Sequence, residues 1–125
     1  VCYRENVSLL PYSPLAFGLL SGKYLADPGA AGRIKEFAGF GQRYTKVNVA
    51  PAVTAYVELA SRHGLTPSQL ALAFVYSRWF VASTIIGATS LMQLEENLGA
   101  LAVPLPPAAL AEIDALHLRY SNPAP

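Results

Sequence analysis

Two stretches of this 125-residue chain carry residue types at spacings that could do chemistry. The first is GATSLMQLEEN, residues 87–97. Gly87 permits close approach to the backbone. A helix opening after Ser90 would aim free N–H groups and the positive end of its dipole at the loop before it. Gln93, Glu96 and Asn97 fall at helical spacings of three and four, so they share one face near that end. An anion suits such a place. A structural role suits the same residues, with Gln93 completing a cap and Glu96 and Asn97 on a solvated face.

The second stretch is YSPLAFGLLSGKY, residues 12–24. Tyr12 offers a flat face, and Pro14 stiffens the turn Tyr12-Ser13-Pro14-Leu15 that leaves an apolar run. Lys23 and Arg33, ten residues apart, could clamp a phosphate. Equally, Tyr12 suits a core position beside a strand and the two cations suit an exposed loop.

Elsewhere the chemistry is thin. His63 and His117 sit near expected helix C-termini, where a cation is favoured, and neither has partners at metal-ligand spacing. No metal site is expected. Cys2 has no activating base nearby in sequence, and no Ser-His-Asp order, G-x-G-x-x-G or P-loop pattern occurs. No catalytic residue is assigned.

The elements that must position these residues follow from periodicity. Val7–Leu10 reads as a short buried strand before Pro11, and Asp27–Thr45 as a long loop. Ala52–His63 carries a helical stripe at Val53, Tyr56, Val57 and Ala60, stopped by Gly64 at C′. Thr66, Pro67 and Gln69 form a capping box with proline at N1, opening a helix to about Trp79 that is apolar nearly all round. VASTIIG, residues 81–87, reads as a second buried strand. Ser90 with Gln93 at N3 repeats the capping device for a helix to about Leu101, and Ala108–Arg119 forms the last helix. Apolar strands followed by helices predict parallel β/α units, and two strands alone cannot close a sheet.

Composition bounds the rest. Hydrophobic residues make up 53% and charged residues 14%, which suits a buried α/β core rather than disorder. The net charge of +1 does not suggest a nucleic-acid partner. RHGLTPSQLALAFVYSRWF has helix-turn-helix order, yet residues 70–75 are uniformly apolar where a recognition helix needs polar side chains. No apolar stretch reaches the roughly 18 residues that span a membrane, so no membrane partner is expected. A single cysteine and the absence of a signal-peptide pattern in VCYREN lead us to expect a cytoplasmic protein. The lack of an initiator Met suggests that the chain begins within something larger.

Taken together, YSPLAFGLLSGKY, HGLTPSQLALAFVYSR and STIIGATSLMQLEENLGAL resemble the C-terminal part of an aldo-keto reductase. The nearest likeness is to the branch of Tas-like reductases and potassium-channel β-subunits. The resemblance covers nearly the whole chain and implies the α/β class, specifically part of a (β/α)₈ TIM barrel. Residues 1–6 would end a preceding helix. Residues 7–106 would form the seventh and eighth β/α units, with strands at Val7–Leu10 and Thr84–Ile86. Residues 107–125 would form a C-terminal helix and tail. So placed, the chain is incomplete as an isolated barrel.

The resemblance also implies NADP(H) as cofactor. Tyr12 matches the aromatic that stacks on the nicotinamide. Ser13 and Leu15, flanking Pro14, match the groups at the pyrophosphate. Lys23 and Arg33 match the loop cations near the phosphates, including the 2′-phosphate. Gly87, Thr89 and Ser90 match the loop under the adenosine phosphate, with Gln93 beside it, and Glu96 and Asn97 match residues that address the ribose and adenine. One departure is Ile86-Gly87-Ala88, where many relatives carry Pro-Lys-Ser. The family's catalytic Asp, Tyr, Lys and His motifs belong to the other half of the barrel and do not occur in this chain. The implied activity is reduction of aldehydes or ketones to alcohols by the intact enzyme, with this chain inactive alone. The implied partners are a carbonyl substrate and either a complementing N-terminal half or further copies of the chain. A non-catalytic nucleotide-binding or assembly module is the alternative.

Overall fold

The computed structural model describes residues 1–37 and 39–124; the loop assignment at Ala38 and the tail assignment at Pro125 lie outside them. Seven α-helices are present among these residues. They are α1 (Cys2–Glu5), α2 (Lys23–Ala26), α3 (Arg33–Glu36), α4 (Val49–Arg62), α5 (Pro67–Tyr76), α6 (Leu91–Gly99) and α7 (Pro107–Arg119). Three 3₁₀ segments cover Ala16–Ser21, Gln42–Thr45 and Ala100–Ala102.

The cores of the long helices follow their local chemistry. α4 starts at Val49, three residues before the expected Ala52, and buries Ala52, Val53, Leu59 and Ala60. It ends in a Schellman motif: Leu65 N–H donates to Ala60 O at 2.9 Å and Gly64 N–H to Ser61 O at 3.1 Å, with Gly64 at φ 67°. α5 has the complete capping box, with Gln69 N donating to Thr66 Oγ1 at 3.1 Å and Thr66 N to Gln69 Oε1 at 2.9 Å. It stops at Tyr76, short of the expected Trp79, because Ser77 becomes the C-cap. Its apolar circumference is covered by α4, α6 and the 3₁₀ turns Ala16–Ser21 and Ala100–Ala102. The core itself is helical. Leu59, Ala60, Leu70 and Ile113 are buried, with Tyr56, Phe74, Leu110 and Leu116 packed around them.

Three expectations are corrected. No strand forms among the described residues at Val7–Leu10 or Thr84–Ile86. The two segments meet through isolated parallel bridges, Leu9 with Val81 and Tyr12 with Ile85. Leu9 N–H donates to Phe80 O (2.8 Å), Ala82 N–H to Leu9 O (3.0 Å) and Ile85 N–H to Pro11 O (2.8 Å). The pairing direction is parallel, as β/α units require. Pro11 has no N–H to give, and three residues on one side span four on the other, so the register slips and no ladder grows. Among the described residues the two segments also have no further strand beside them to extend the pairing. The long loop Asp27–Thr45 is not structureless, since it holds α3 and a 3₁₀ turn. Gln93 does not close a box on Ser90 N; its carbonyl oxygen instead accepts from Thr89 N and Thr89 Oγ1.

No single helix among the described residues is long and apolar enough to cross a membrane. The pair Leu91–Ala102 and Pro107–Arg119, which passes by composition, is bent by 111°.

Candidate functional site

The two parallel bridges give the candidate residues a common location. Because both extended segments run the same way, the turn after the first (Tyr12–Leu15) and the loop after the second (Gly87–Ser90) leave from the same end. Tyr12 is paired with Ile85 through the backbone, yet the residue is 65% exposed, so its ring is open to solvent.

The turn itself is strained. Ser13 (φ 54°), Ala16 (φ 49°) and Phe17 (φ 57°) all adopt left-handed backbone that side-chain-bearing residues seldom occupy. Such conformations persist only where the surrounding structure holds them. Ala16 N–H donates to Ser13 O (2.9 Å) and Gly18 N–H to Leu15 O (2.9 Å), which locks the turn around Pro14.

Both loop cations come to this turn. Lys23 lies so close to Gly18 that a Cβ there would stand 3.2 Å from its Cε. Its ammonium donates to Ala31 O at 3.0 Å and lies 4.8 Å from the Tyr24 ring centroid. The Arg33 guanidinium lies 5.9 Å from the Phe17 ring and 5.8 Å from the Phe40 ring. Phe17 and Phe40 stack at 4.7 Å, and Arg33, Phe37, Gly39 and Phe40 line an open cavity of about 570 Å³. These aromatics were not singled out from sequence. The concentration of Phe in residues 37–40 beside a cation is the signal that could have found them.

The second loop is organised by α6. Ser90 caps the helix by accepting from Gln93 N at 3.3 Å, and the Gln93–Thr89 bonds tie the residue before the cap to the first turn. The N–H groups of Leu91 and Met92 have no acceptor within the helix. A Cβ built on Gly87 would meet nothing within 4 Å, so the backbone there faces open space.

Glu96 and Asn97 turn elsewhere. Asn97 is 2% exposed, and its side-chain amide donates to Gly87 O at 3.3 Å while its backbone carbonyl oxygen accepts from Tyr76 Oη at 3.2 Å. It braces the loop from beneath. Glu96 Oε1 accepts from Thr66 Oγ1 at 2.6 Å, linking α6 to the cap of α5. The structure thus places Lys23 beside Gly18 and Arg33 beside Phe17, in the 3₁₀ segment that follows the Tyr12–Leu15 turn, and gathers Gly87, Thr89, Ser90 and Gln93 around the other loop.

Three tyrosines have shifted phenols. Burial raises Tyr44, opposed by Arg43 and reinforced by Tyr12; burial with Asp114 raises Tyr56; burial raises Tyr76. All three move away from neutral pH, the wrong direction for an activated proton donor.

Residues 1–117 match the model of the aldo/keto reductase family. Among curated relatives, protein tas of Escherichia coli (strain K12) is 48% identical over 125 residues, covering 100% of this chain and 36% of the relative. An aldo-keto reductase of Babesia bovis is 36% identical over 130 residues, covering 98% of this chain and 46% of its own length. The aldo-keto reductase yakc [NADP(+)] of Schizosaccharomyces pombe is 34% identical over 116 residues, covering 90% and 33%. The chain therefore spans about a third to a half of the relatives it matches.

Proposed function

The chain belongs to the aldo/keto reductase family, and on that premise we propose that it is the NADP(H)-binding portion of a (β/α)₈ reductase acting on aldehydes or ketones. The observation that carries this is the parallel Tyr12–Ile85 bridge, from which the strained Pro14 turn and the Gly87–Ser90 loop leave at the same end of the paired segments. That is the end where barrels of this type hold their ligands. The residues fit a dinucleotide. An open tyrosine face suits a planar ring, two cations suit phosphate, and glycine backbone in open space beside a helix N-terminus suits a second phosphate.

In the proposed site Tyr12 covers the nicotinamide and Ser13, Pro14 and Leu15 fix the turn at the pyrophosphate. Lys23 and Arg33 hold phosphate charge, the 2′-phosphate included. Ser90 and the first turn of α6 receive the adenosine side, with Gln93 and Thr89 holding the cap. Asn97 supports Gly87 from beneath, and Glu96, bound through Oε1 to the Thr66 hydroxyl, would have its other carboxylate oxygen left for the ribose. When bound, the nicotinamide supplies hydride to a carbonyl carbon. This chain's residues bind and orient it, and the proton donor comes from outside the chain.

Calorimetric titration of the chain with NADPH tests the proposal. Binding is expected to be selective over NADH, and Lys23→Ala or Arg33→Ala should each weaken NADPH by about tenfold, the size of one charge-assisted contact. Absence of any NADPH heat at millimolar ligand would remove the proposal. Carbonyl-dependent NADPH oxidation by this chain alone would contradict the external proton donor.

A further inference from the structure

Between the two loop cations, Tyr24 and Gly32 meet in a close contact. The Tyr24 hydroxyl is buried and has no hydrogen-bond partner among the described residues. Gly32 is pressed against it: a Cβ built on Gly32 would fall inside contact distance of the hydroxyl and 2.6 Å from Lys23 Nζ. Gly32 has φ 163°, extended backbone that any residue adopts, so only the close approach calls for glycine here. On either side, Ala31 O accepts from Lys23 Nζ at 3.0 Å, and Arg33 follows as the first residue of α3. The Lys23 ammonium is at the end of a flexible stem and can yield. The Tyr24 ring cannot, because its hydroxyl is enclosed.

We propose that Tyr24 and Gly32 are positioning residues: the tip of the phenol against the glycine backbone sets where Arg33 stands beside the Phe17 turn and hence how well the site recognises a 2′-phosphate. The cofactor half of this statement rests on the proposed NADP(H) function; the placement of Arg33 does not. A side chain at residue 32 would push the 31–33 backbone off the tyrosine and carry the guanidinium away from Phe17 and Phe40. Removing the tyrosine hydroxyl would make room for it, leaving the ring carbon at 3.2 Å as a tight but tolerable neighbour.

The test compares wild type, Gly32→Ala, Tyr24→Phe and the double variant by calorimetry with NADP⁺ and NAD⁺. Tryptic cleavage after the exposed Arg33 is followed in parallel without nucleotide. Gly32→Ala is expected to lose about tenfold in NADP⁺ affinity with NAD⁺ unchanged. It should also be cut several times faster after Arg33. The double variant should recover both properties, and Tyr24→Phe alone should track wild type. An unchanged NADP⁺/NAD⁺ ratio in folded Gly32→Ala, or a double variant as impaired as the single, overturns the inference. If wild type binds neither dinucleotide, the cofactor function fails by itself. Faster, rescued cleavage then still upholds the placement of Arg33, and unchanged cleavage overturns it. If Gly32→Ala alone does not fold, the double variant decides: folding with a wild-type ratio upholds the contact, and failure to fold overturns it.

Discussion

Glu112 shows how much one exposed carboxylate can organise. Its two oxygens accept from Arg62 Nη2 and from His63 Nε2 (2.9 Å), so α7 is tied to the last turn of α4 by both arms of one side chain. The hydrogen bond from Arg62, then that from His63, lowers its pKa below the ordinary 4.5. A carboxylate depressed in the folded state adds stability that is fully present above its unfolded value and is lost as pH falls through the folded one. Thermal unfolding followed from neutral pH down through the carboxylate range should therefore show wild type losing more of its Tm on acidification than Glu112→Gln. The group is solvent-exposed, so the difference will be small and should shrink further in high salt. Parallel acid limbs for the two proteins would show that the clasp contributes nothing.

At the scale of elements, the caps were legible and the strands were not. Thr66-Pro67-x-Gln69 announces a helix start with three residues, because each satisfies an N–H or a φ that the helix requires locally. Gly64 was equally legible as a C′ residue, for the same local reason. Strand pairing is a property of two distant segments together, so Val7–Leu10 and Thr84–Ile86 could be recognised as β-prone without showing that Pro11 and a one-residue slip would limit them to two bridges. The candidate site divides along the same line. The Tyr12 turn and the Ser90 cap are local and were legible. The burial of Asn97 under Gly87, the Thr66–Glu96 bond and the Phe17–Arg33–Phe40 packing are tertiary and were not. Thr66 consequently does two jobs, capping α5 and donating to Glu96 on α6. Thr66→Ala should cost about 1 kcal/mol in chemical denaturation, and more than Ser90→Ala, which loses a cap alone. A Thr66→Ala/Glu96→Ala cycle showing no coupling would confine Thr66 to its cap.

At the scale of the whole molecule, helices α4, α5 and α7 share a core while the paired segments do not. Tyr3 (81% exposed), Trp79 (75%), Leu9, Leu10 and Ile85 leave apolar surface in the open, and Tyr3 packs edge-on against Trp79 at 6.1 Å. Contiguous apolar surface beyond roughly a few hundred Å² on a soluble chain marks a contact face. In the proposed barrel, further strands would cover this face; for the chain by itself, the available cover is another copy. We propose that the chain associates with itself in solution through this face. Sedimentation velocity should show an average mass that rises above the 13.3 kDa monomer with concentration, with Trp79 emission shifting to the blue as its ring leaves water. Trp79→Glu would place a charge at the aromatic pair and should return the mass towards the monomer without unfolding α5, which ends at Tyr76. A wild-type chain that stays at 13.3 kDa at every concentration, with its tryptophan emission unmoved, would mean that these side chains tolerate water and that the face recruits nothing.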